Sequence, residues 1–271
     1  MTGGWRRLPG YVFLSVFALS ALFPLYFMVV GATNTSQHVL GSRLLPGTNL
    51  FQNWRDLLGP LQANVGAAMG HSAVNALATT VLALLLCSIA GYGFEIFHSK
   101  GKDLVMNILL LAMMIPFAAT MIPLFRMFGK MGLINSVPAV ILPTISTPFL
   151  IMLFRQASRS FPHEILEAAR IDGLSELMIF LRIYMPTMRS TYAAAAVITF
   201  MNAWNNFMWP KVILINSDYQ TMPMLISNLT AGYVTDYGAL MLAVLLASLP
   251  TMIVFLVLQR SFANGITGAI R

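Results

Sequence analysis

EILEAARIDGLSELMIFLRIYMP, residues Glu164 to Pro186, is a charged, helix-prone stretch enclosed by two very apolar runs. Pro162 suits a first helical position, where its missing N–H costs nothing. Glu164 then falls in the first turn, where the positive end of the helix dipole favours a carboxylate. Ile165, Ala168, Ala169 and Asp172 share one face at i, i+3, i+4, i+7 spacing, and the two alanines make that face narrow enough for close approach. Gly173 stands where a left-handed helix exit is expected. Ser175 can cap a second helix running to about Tyr184 and stopping before Pro186. An ordered two-helix element in a short loop reads as something presented to another protein.

The flanks set the environment. Of the 271 residues 58% are hydrophobic and 9% charged, against about a quarter charged in soluble domains. The solvent is therefore mostly lipid, and the expected fold class is an all-α membrane protein. A helix needs ~20 apolar residues to cross a hydrocarbon core of about 30 Å. Six runs qualify: Val12–Gly31, Ser72–Phe94, Leu104–Leu124, Val137–Phe154, Tyr192–Ile213 and Gly238–Leu258. Arg6 and Arg7 precede the first, as in a secretory signal. Its apolar part exceeds a signal core of roughly 7–15 residues and no small-x-small site follows, so a retained span is expected. With no linker, low-complexity tract or convincing repeat, residues 1–271 are expected to form one transmembrane domain.

Loop charge orients the spans. With the N-terminus inside, Arg6, Arg7, Lys100, Lys102, Arg155, Arg159, Arg170, Arg182, Arg189, Arg260 and Arg271 are cytoplasmic, and Arg43, Arg55, Arg126, Lys130 and Lys211 external, a split of 11 to 5. Both termini and the Glu164–Pro186 segment are then cytoplasmic, and the net charge of +7 is a topology signal rather than a nucleic-acid footprint. Pro116, Pro123, Pro143, Pro148 and Pro250 fall in or near the apolar runs, where each is expected to kink its helix.

The chemistry missing from the spans narrows the function. None of the nine acidic residues falls inside a run, which argues against proton coupling and against direct pairing with a charged solute. A sodium-coupled carrier that uses backbone carbonyls stays open. Gly101-Lys102 and Gly129-Lys130 lack the earlier glycine of a phosphate loop, so any ATP is hydrolysed by a partner. Cys87 lies in the second run and reads as an inert thiol, while His38, His71, His98 and His163 have no metal-ligand spacing and read as surface residues. No nucleophile and base lie deep enough for an intramembrane hydrolase, so no catalytic residue, cofactor or metal is expected.

Two readings of the cytoplasmic segment then compete. A surface helix packed on its own bundle usually carries large apolar residues and a Lys-rich polar face. Two alanines, a glycine and mixed charge suit a socket for a partner better. Glu167-Ala168-Ala169-Arg170-Ile171-Asp172-Gly173, followed by Ile183-Tyr184-Met185-Pro186, resembles the EAA loop of bacterial ABC importer permeases, and more closely the MalG-like permeases of carbohydrate uptake. Ile122-Pro123-Leu124, Gly132-Leu133-Ile134-Asn135, Ile141-Leu142-Pro143 and Phe154-Arg155-Gln156 follow the family's run into that loop. Trp204-Asn205-Asn206-Phe207 resembles its fifth-span motif, and Gln259-Arg260-Ser261-Phe262 with Gly265 and Gly268 its tail. Leu174, where the family often has Ala, and Tyr184-Met185 in place of Ile-Leu are departures.

The resemblance implies a coupling loop, residues 160–187, that docks into a cleft on an ATP-hydrolysing subunit. Glu164, Glu167 and Asp172 would supply charge and polar contacts, Ala168 and Ala169 the close fit, and Gly173 the turn. It further implies a second permease subunit, an ATPase dimer holding ATP and Mg2+, an external binding protein, and a multi-pass location in the bacterial plasma membrane.

In the fifth run Thr199, Asn202, Asn206 and Trp209 recur at helical spacing with Asn205 beside them. Such amides must face protein or a watery cavity, and they suit either sugar hydroxyls or bonds to neighbouring helices. The external segment Asn216–Tyr237, with Met222, Pro223 and Tyr233, resembles the family region that reaches towards the binding protein; an ordinary packed loop is the alternative. Together these features describe a permease subunit for a neutral sugar, oligosaccharide, glycoside or polyol. The alternatives are a half-size secondary carrier and a membrane scaffold for a cytoplasmic complex.

Overall fold

Every regular element among the described residues is helical, as expected where lipid offers the backbone no hydrogen bonds. The structure, a computed structural model, describes residues 8–59, 63–97, 99–215, 218–232 and 235–268, with backbone only at residue 8 and from residue 260. Arg6, Arg7, His98, Asn216, Tyr233 and Arg271 lie outside the described residues, as do the side chains of the 260–268 tail.

In chain order the helices are α1 (Leu8–Ala32), α2 (Ser36–Leu40), α3 (Leu50–Leu58), α4 (Val65–Ile96), α5 (Lys100–Ala112), α6 (Phe117–Lys130), α7 (Val137–Ile141), α8 (Pro148–Arg159), α9 (His163–Ile171), α10 (Glu176–Ile179), α11 (Met185–Thr187), α12 (Arg189–Trp204), α13 (Met208–Ile213), α14 (Met222–Leu229) and α15 (Tyr237–Gly268). α1, α4 and α15 are each long and apolar enough to cross a membrane. The bent pairs α5–α6 and α7–α8 pass the same test as pairs, for up to five candidate spans.

Two of the six expected spans are therefore bent, and a third is broken. Leu104–Leu124 divides where the axis turns by 102° between α5 and α6. Pro116 causes this: it sits in extended geometry (φ −63°, ψ 135°) as the N-cap of α6 and disfavours helix at the residue before it. Val137–Phe154 bends by 47° around a 3-10 turn at Leu142–Thr144 that contains Pro143, and α8 restarts on Pro148 with Thr147 as cap. Tyr192–Ile213 is broken at Asn205–Phe207, leaving α12 and the separate short helix α13. Pro123 and Pro250 instead lie inside continuous helices.

Packing divides the chain into two compact units, Met1–Gly66 with Met222–Pro250, and Ala67–Thr221 with Thr251–Arg271. In the first, most of α1 is bare: Tyr11, Phe13, Phe17 and Leu19 are 63% to 69% exposed, which in water would be an aggregating surface and in lipid is ordinary. Further along α1, Gly31 lets Met241 approach so closely that an added Cβ would sit 2.9 Å from its Cγ. Asn53 Nδ2 ties down the following loop by donating to the carbonyls of Ala32 (2.8 Å) and Asn34 (2.9 Å). Asp236 caps α15 by accepting from the Gly238 and Ala239 N–H groups, and Ser36 Oγ donates to the same oxygen at 2.8 Å.

The second unit is built on α4 from Ala67 onward. Ala83, Cys87, Met106, Leu150, Ile151, Phe154 and Ala195 pack together from α4, α5, α8 and α12. At Gly91 the α4 and α8 backbones nearly touch; a Cβ there would lie 2.6 Å from Phe154 Cβ and 2.7 Å from the Arg155 nitrogen. Arg155, 8% exposed, bonds Glu95 of α4 at 3.1 Å and Asp103 of α5 at 2.6 Å, and Arg159 adds a second bond to Glu95 at 3.2 Å. A guanidinium this buried persists only when paired, so the three helix ends are held as a set.

Candidate functional site

The Glu164–Pro186 segment belongs to this second unit. Pro162 is the N-cap rather than the first helical residue, and α9 begins at His163. At the far end Gly173 adopts φ +81°, the left-handed exit that glycine tolerates without strain. Ser175 caps α10, accepting from the Met178 N–H. The second helix does not stop before Pro186. It widens into a π segment at Phe180–Tyr184, with Met185 N–H reaching back five residues to the Phe180 carbonyl, and runs into α11. That extra residue in the turn lets a proline without an N–H enter the helix.

Which face points where differs from the helical spacing alone. Leu166 and Ala169 are buried with Phe161, Ile179, Phe180 and Tyr184 against Tyr92 of α4 and Ala157 of α8. Ala169 therefore lies on the inward face and separates from Ile165, Ala168 and Asp172, which stay exposed with Glu164, Glu167 and Gly173. The segment does pack on its own bundle, through one face. Its other face carries Ile171, 86% exposed and next to Asp172. Ile171 is not among the residues that the sequence pattern singles out; its signal is an isoleucine off the i, i+3, i+4 stripe.

Hydrogen bonds fix the segment. Arg170 Nε donates to Glu176 Oε1 at 2.7 Å across the Gly173 turn, and the Tyr92 hydroxyl donates to Glu176 Oε2 at 3.3 Å. The Arg170 hydrogen bond holds the Glu176 carboxyl below its usual range, and the same bond raises Arg170. Ser158 Oγ donates to the Phe154 carbonyl at 2.8 Å, so across the 2.7 Å contact the Tyr184 hydroxyl is the donor to Ser158. Burial pushes the Tyr184 phenol up to about 12, so it stays a neutral donor.

A second feature of the unit is a cavity of about 370 Å³ lined by Thr79, Phe117, Pro143, Thr144, Thr147, Phe149, Leu150, Ile198, Thr199, Asn202, Ala203 and Asn206. No charged residue lines it. Thr199 Oγ1 donates to the Ala195 carbonyl and Thr144 Oγ1 to the Ile141 carbonyl, both at 2.8 Å, so each can turn lone pairs to a guest. The structure thus brings three of the five stripe residues together. Asn205 Nδ2 donates back to the Met201 carbonyl at 2.9 Å. Trp209 lies on α13, fully buried between Phe117 and Phe128, with Nε1 donating to the Ala139 carbonyl at 2.8 Å. Helical spacing failed for it because α12 ends at Trp204. Thr79, Thr144 and Thr147 were missed: threonines in apolar runs read as neutral until the helices converge.

Met222 opens α14 fully buried, and Pro223 is half-buried. Neither presents a broad outer face, whereas Asn228, Thr230 and Ala231 are exposed. His71 also departs from a surface reading, because it is half-buried and stacks on Tyr219. Among the described residues no group of His, Cys, Asp and Glu could hold a metal ion.

Residues 83–268, which include the Glu164–Pro186 segment and every cavity residue except Thr79, match the family model described as binding-protein-dependent transport system inner membrane component. The chain belongs to this family. The resemblance carried by the Glu167–Gly173 motif, to permease subunits of carbohydrate-uptake ABC importers, is borne out. The lactose transport system permease protein LacG of Rhizobium radiobacter is 45% identical over all of both chains. The arabinooligosaccharides permease AraQ of Bacillus subtilis is 33% identical, covering 94% of this chain and 92% of its own. The sn-glycerol-3-phosphate permease UgpE of Pectobacterium atrosepticum is 31% identical over 94% of each. All three are named as transport permease proteins, not enzymes. A crystal structure of a bacterial ABC transporter involved in import of the acidic polysaccharide alginate has a chain with the same fold, at TM-score 0.83 and 20% identity, covering 97% of this chain and 99% of that one. As an ABC importer permease, this chain carries its two features, the exposed face of the Glu164–Pro186 segment and the uncharged cavity, in one compact unit.

Proposed function

We propose that this chain is one of two permease subunits of an ATP-driven importer for a neutral sugar, oligosaccharide or glycoside. It crosses the membrane six times with both termini cytoplasmic, and separate subunits hydrolyse ATP. The Glu164–Pro186 segment docks on the ATPase through Glu164, Glu167, Ala168, Ile171, Asp172 and Gly173. Ala169 and Leu166 carry the motion inward to α4 and α8, and the cavity alternates between the two sides.

The observation that carries the substrate class is the cavity lining. Its polar groups are hydroxyls and amides, with no cation to pair a phosphate or carboxylate. That favours lactose and arabino-oligosaccharides, named for two relatives, over the glycerol phosphate named for a third. Burial of uncharged side chains with a few placed polar groups is the usual build of such sites.

The test is reconstitution with the partner permease, ATPase subunits and binding protein in proteoliposomes. ATP hydrolysis and uptake are measured with lactose, arabinobiose and glycerol 3-phosphate. Uptake of a neutral sugar, dependent on ATP and on the binding protein, is expected. Gradient-driven uptake by this chain alone, or preference for glycerol 3-phosphate, overturns the proposal.

A further inference from the structure

α4 carries a polar stripe away from the coupling segment. His71, Asn75 and Thr79 succeed one another at intervals of four residues and so share one helix face. Thr79 lines the cavity. Asn75 precedes Tyr92, which touches the coupling segment, by 17 residues, about 26 Å along a helix at 1.5 Å per residue.

Asn75 is 3% exposed. The Tyr219 hydroxyl donates to its Oδ1 at 3.2 Å, while its Nδ2 has no hydrogen-bond partner among the described residues. Turning the amide round does not cure this: Nδ2 would then meet Tyr219 and Oδ1 would be orphaned. Buried polar atoms are paired in the great majority of cases, so an amide kept half-satisfied needs a reason.

One aromatic pair covers it. His71 stacks on Tyr219 with ring centroids 3.9 Å apart and planes 17° from parallel. His71 Nδ1 lies 3.0 Å from the Gln220 carbonyl, so that nitrogen carries the proton. Thr221, two residues after Tyr219 and also 3% exposed, has an unpartnered Oγ1. Tyr219 and Gln220 thus meet the stripe through a stacked ring and two hydrogen bonds, and the next residue carries an orphaned polar group of its own.

We propose that Asn75 is a hydroxyl-binding position on the sugar's route, screened at rest by the stacked His71–Tyr219 pair. The inference rests on the sugar-import reading above. A sugar hydroxyl both donates and accepts, and an amide offers both functions in one plane. In the closed arrangement the Tyr219 hydroxyl stands in for half of that guest. When the segment bearing Tyr219 lifts, both ends of the amide become available, one helical turn before Thr79 and the cavity. A fixed water on the orphaned atom is the competing occupant.

The experiment compares uptake of lactose and of each monodeoxy lactose by the complete complex, with wild type and Asn75→Ala side by side. The readout is the factor by which the substitution slows each sugar; the binding protein's own preference cancels from this ratio. Loss of one hydrogen bond should slow lactose about tenfold, corresponding to about 1.4 kcal/mol. The same factor should fall to near one for the single analogue lacking the bound hydroxyl, because that partner is already gone. An equal factor for every analogue assigns Asn75 a structural or water-bound role and overturns the inference, as does a factor of one for lactose. Should Asn75→Ala fail to assemble, Asn75→Ser replaces it in the same series, and the same two results support or overturn the inference. A wild-type complex that imports neither lactose nor arabinobiose refutes the import reading itself, not this position.

Discussion

Arg170 and Glu176 meet at 2.7 Å across the Gly173 turn, so an ion pair joins the two short helices of the Glu164–Pro186 segment on top of the apolar core they share. Both side chains are about two-fifths exposed, and such pairs are worth little on their own. Here Tyr92 of α4 also holds Glu176, so the pair ties the segment to a long helix as well as to itself.

That tie should depend on pH in one direction. The Arg170 hydrogen bond holds Glu176 below its usual value, so its contribution is present at neutral pH and is lost as the pH falls through that lowered value. Limited proteolysis of the segment in detergent should show protection down to that value and cleavage beneath it. Glu176→Gln should abolish the step; an unchanged acid profile in this variant would show that the pair does not hold the segment.

Gly173→Leu tests the turn. An added Cβ meets nothing within 4 Å, so the penalty is in the backbone alone, at φ +81°, and amounts to about 1–2 kcal/mol. Membrane insertion should survive while transport and sugar-stimulated ATP hydrolysis fall together. Full coupling in a well-inserted variant would remove the segment from the mechanism.

Ile171→Glu tests the docking face. With 86% of the residue exposed, thermal stability of the permease should stay within about 0.5 kcal/mol. Copurification of the ATPase subunits should drop sharply. Retention of stoichiometric ATPase would mean that the partner does not use this face.

Trp209→Phe and Asn202→Ala should separate packing from passage. The first orphans the Ala139 carbonyl that Nε1 now satisfies, costing about 1–3 kcal/mol and lowering the melting temperature without changing which sugar is taken up. The second removes an amide from the cavity lining and should alter sugar uptake with little change in melting. Exchanged phenotypes would return Trp209 to the path.

Much of this was legible before folding because it depends on neighbours close in sequence. Apolar length marks a helix in lipid. A glycine after a helical stripe marks a left-handed exit, and a serine before one marks a cap; Gly173 and Ser175 are both found so. The motif from Glu167 to Gly173 carried the resemblance to the family that the match over residues 83–268 shows, because its signal is a short run of residue order.

What the chain did not disclose locally was where a helix would break and which way a side chain would then turn. A proline within an apolar run can be absorbed, as Pro250 is, or can turn the axis by 102°, as at Pro116; the outcome depends on what packs around the freed carbonyls. Extending one helical period past Trp204 placed Trp209 with the asparagines, and the break at Asn205–Phe207 instead sends it to the Ala139 carbonyl, 70 positions away in sequence. The same distant convergence joins Thr79, Thr147 and Asn202 around one cavity and lays Tyr219 over Asn75. Sequence alone thus determined the all-helical class, the turn and the family, because each rests on short-range geometry. Only the tertiary structure decided which polar groups share a space, because that is set by close packing between segments far apart in the chain.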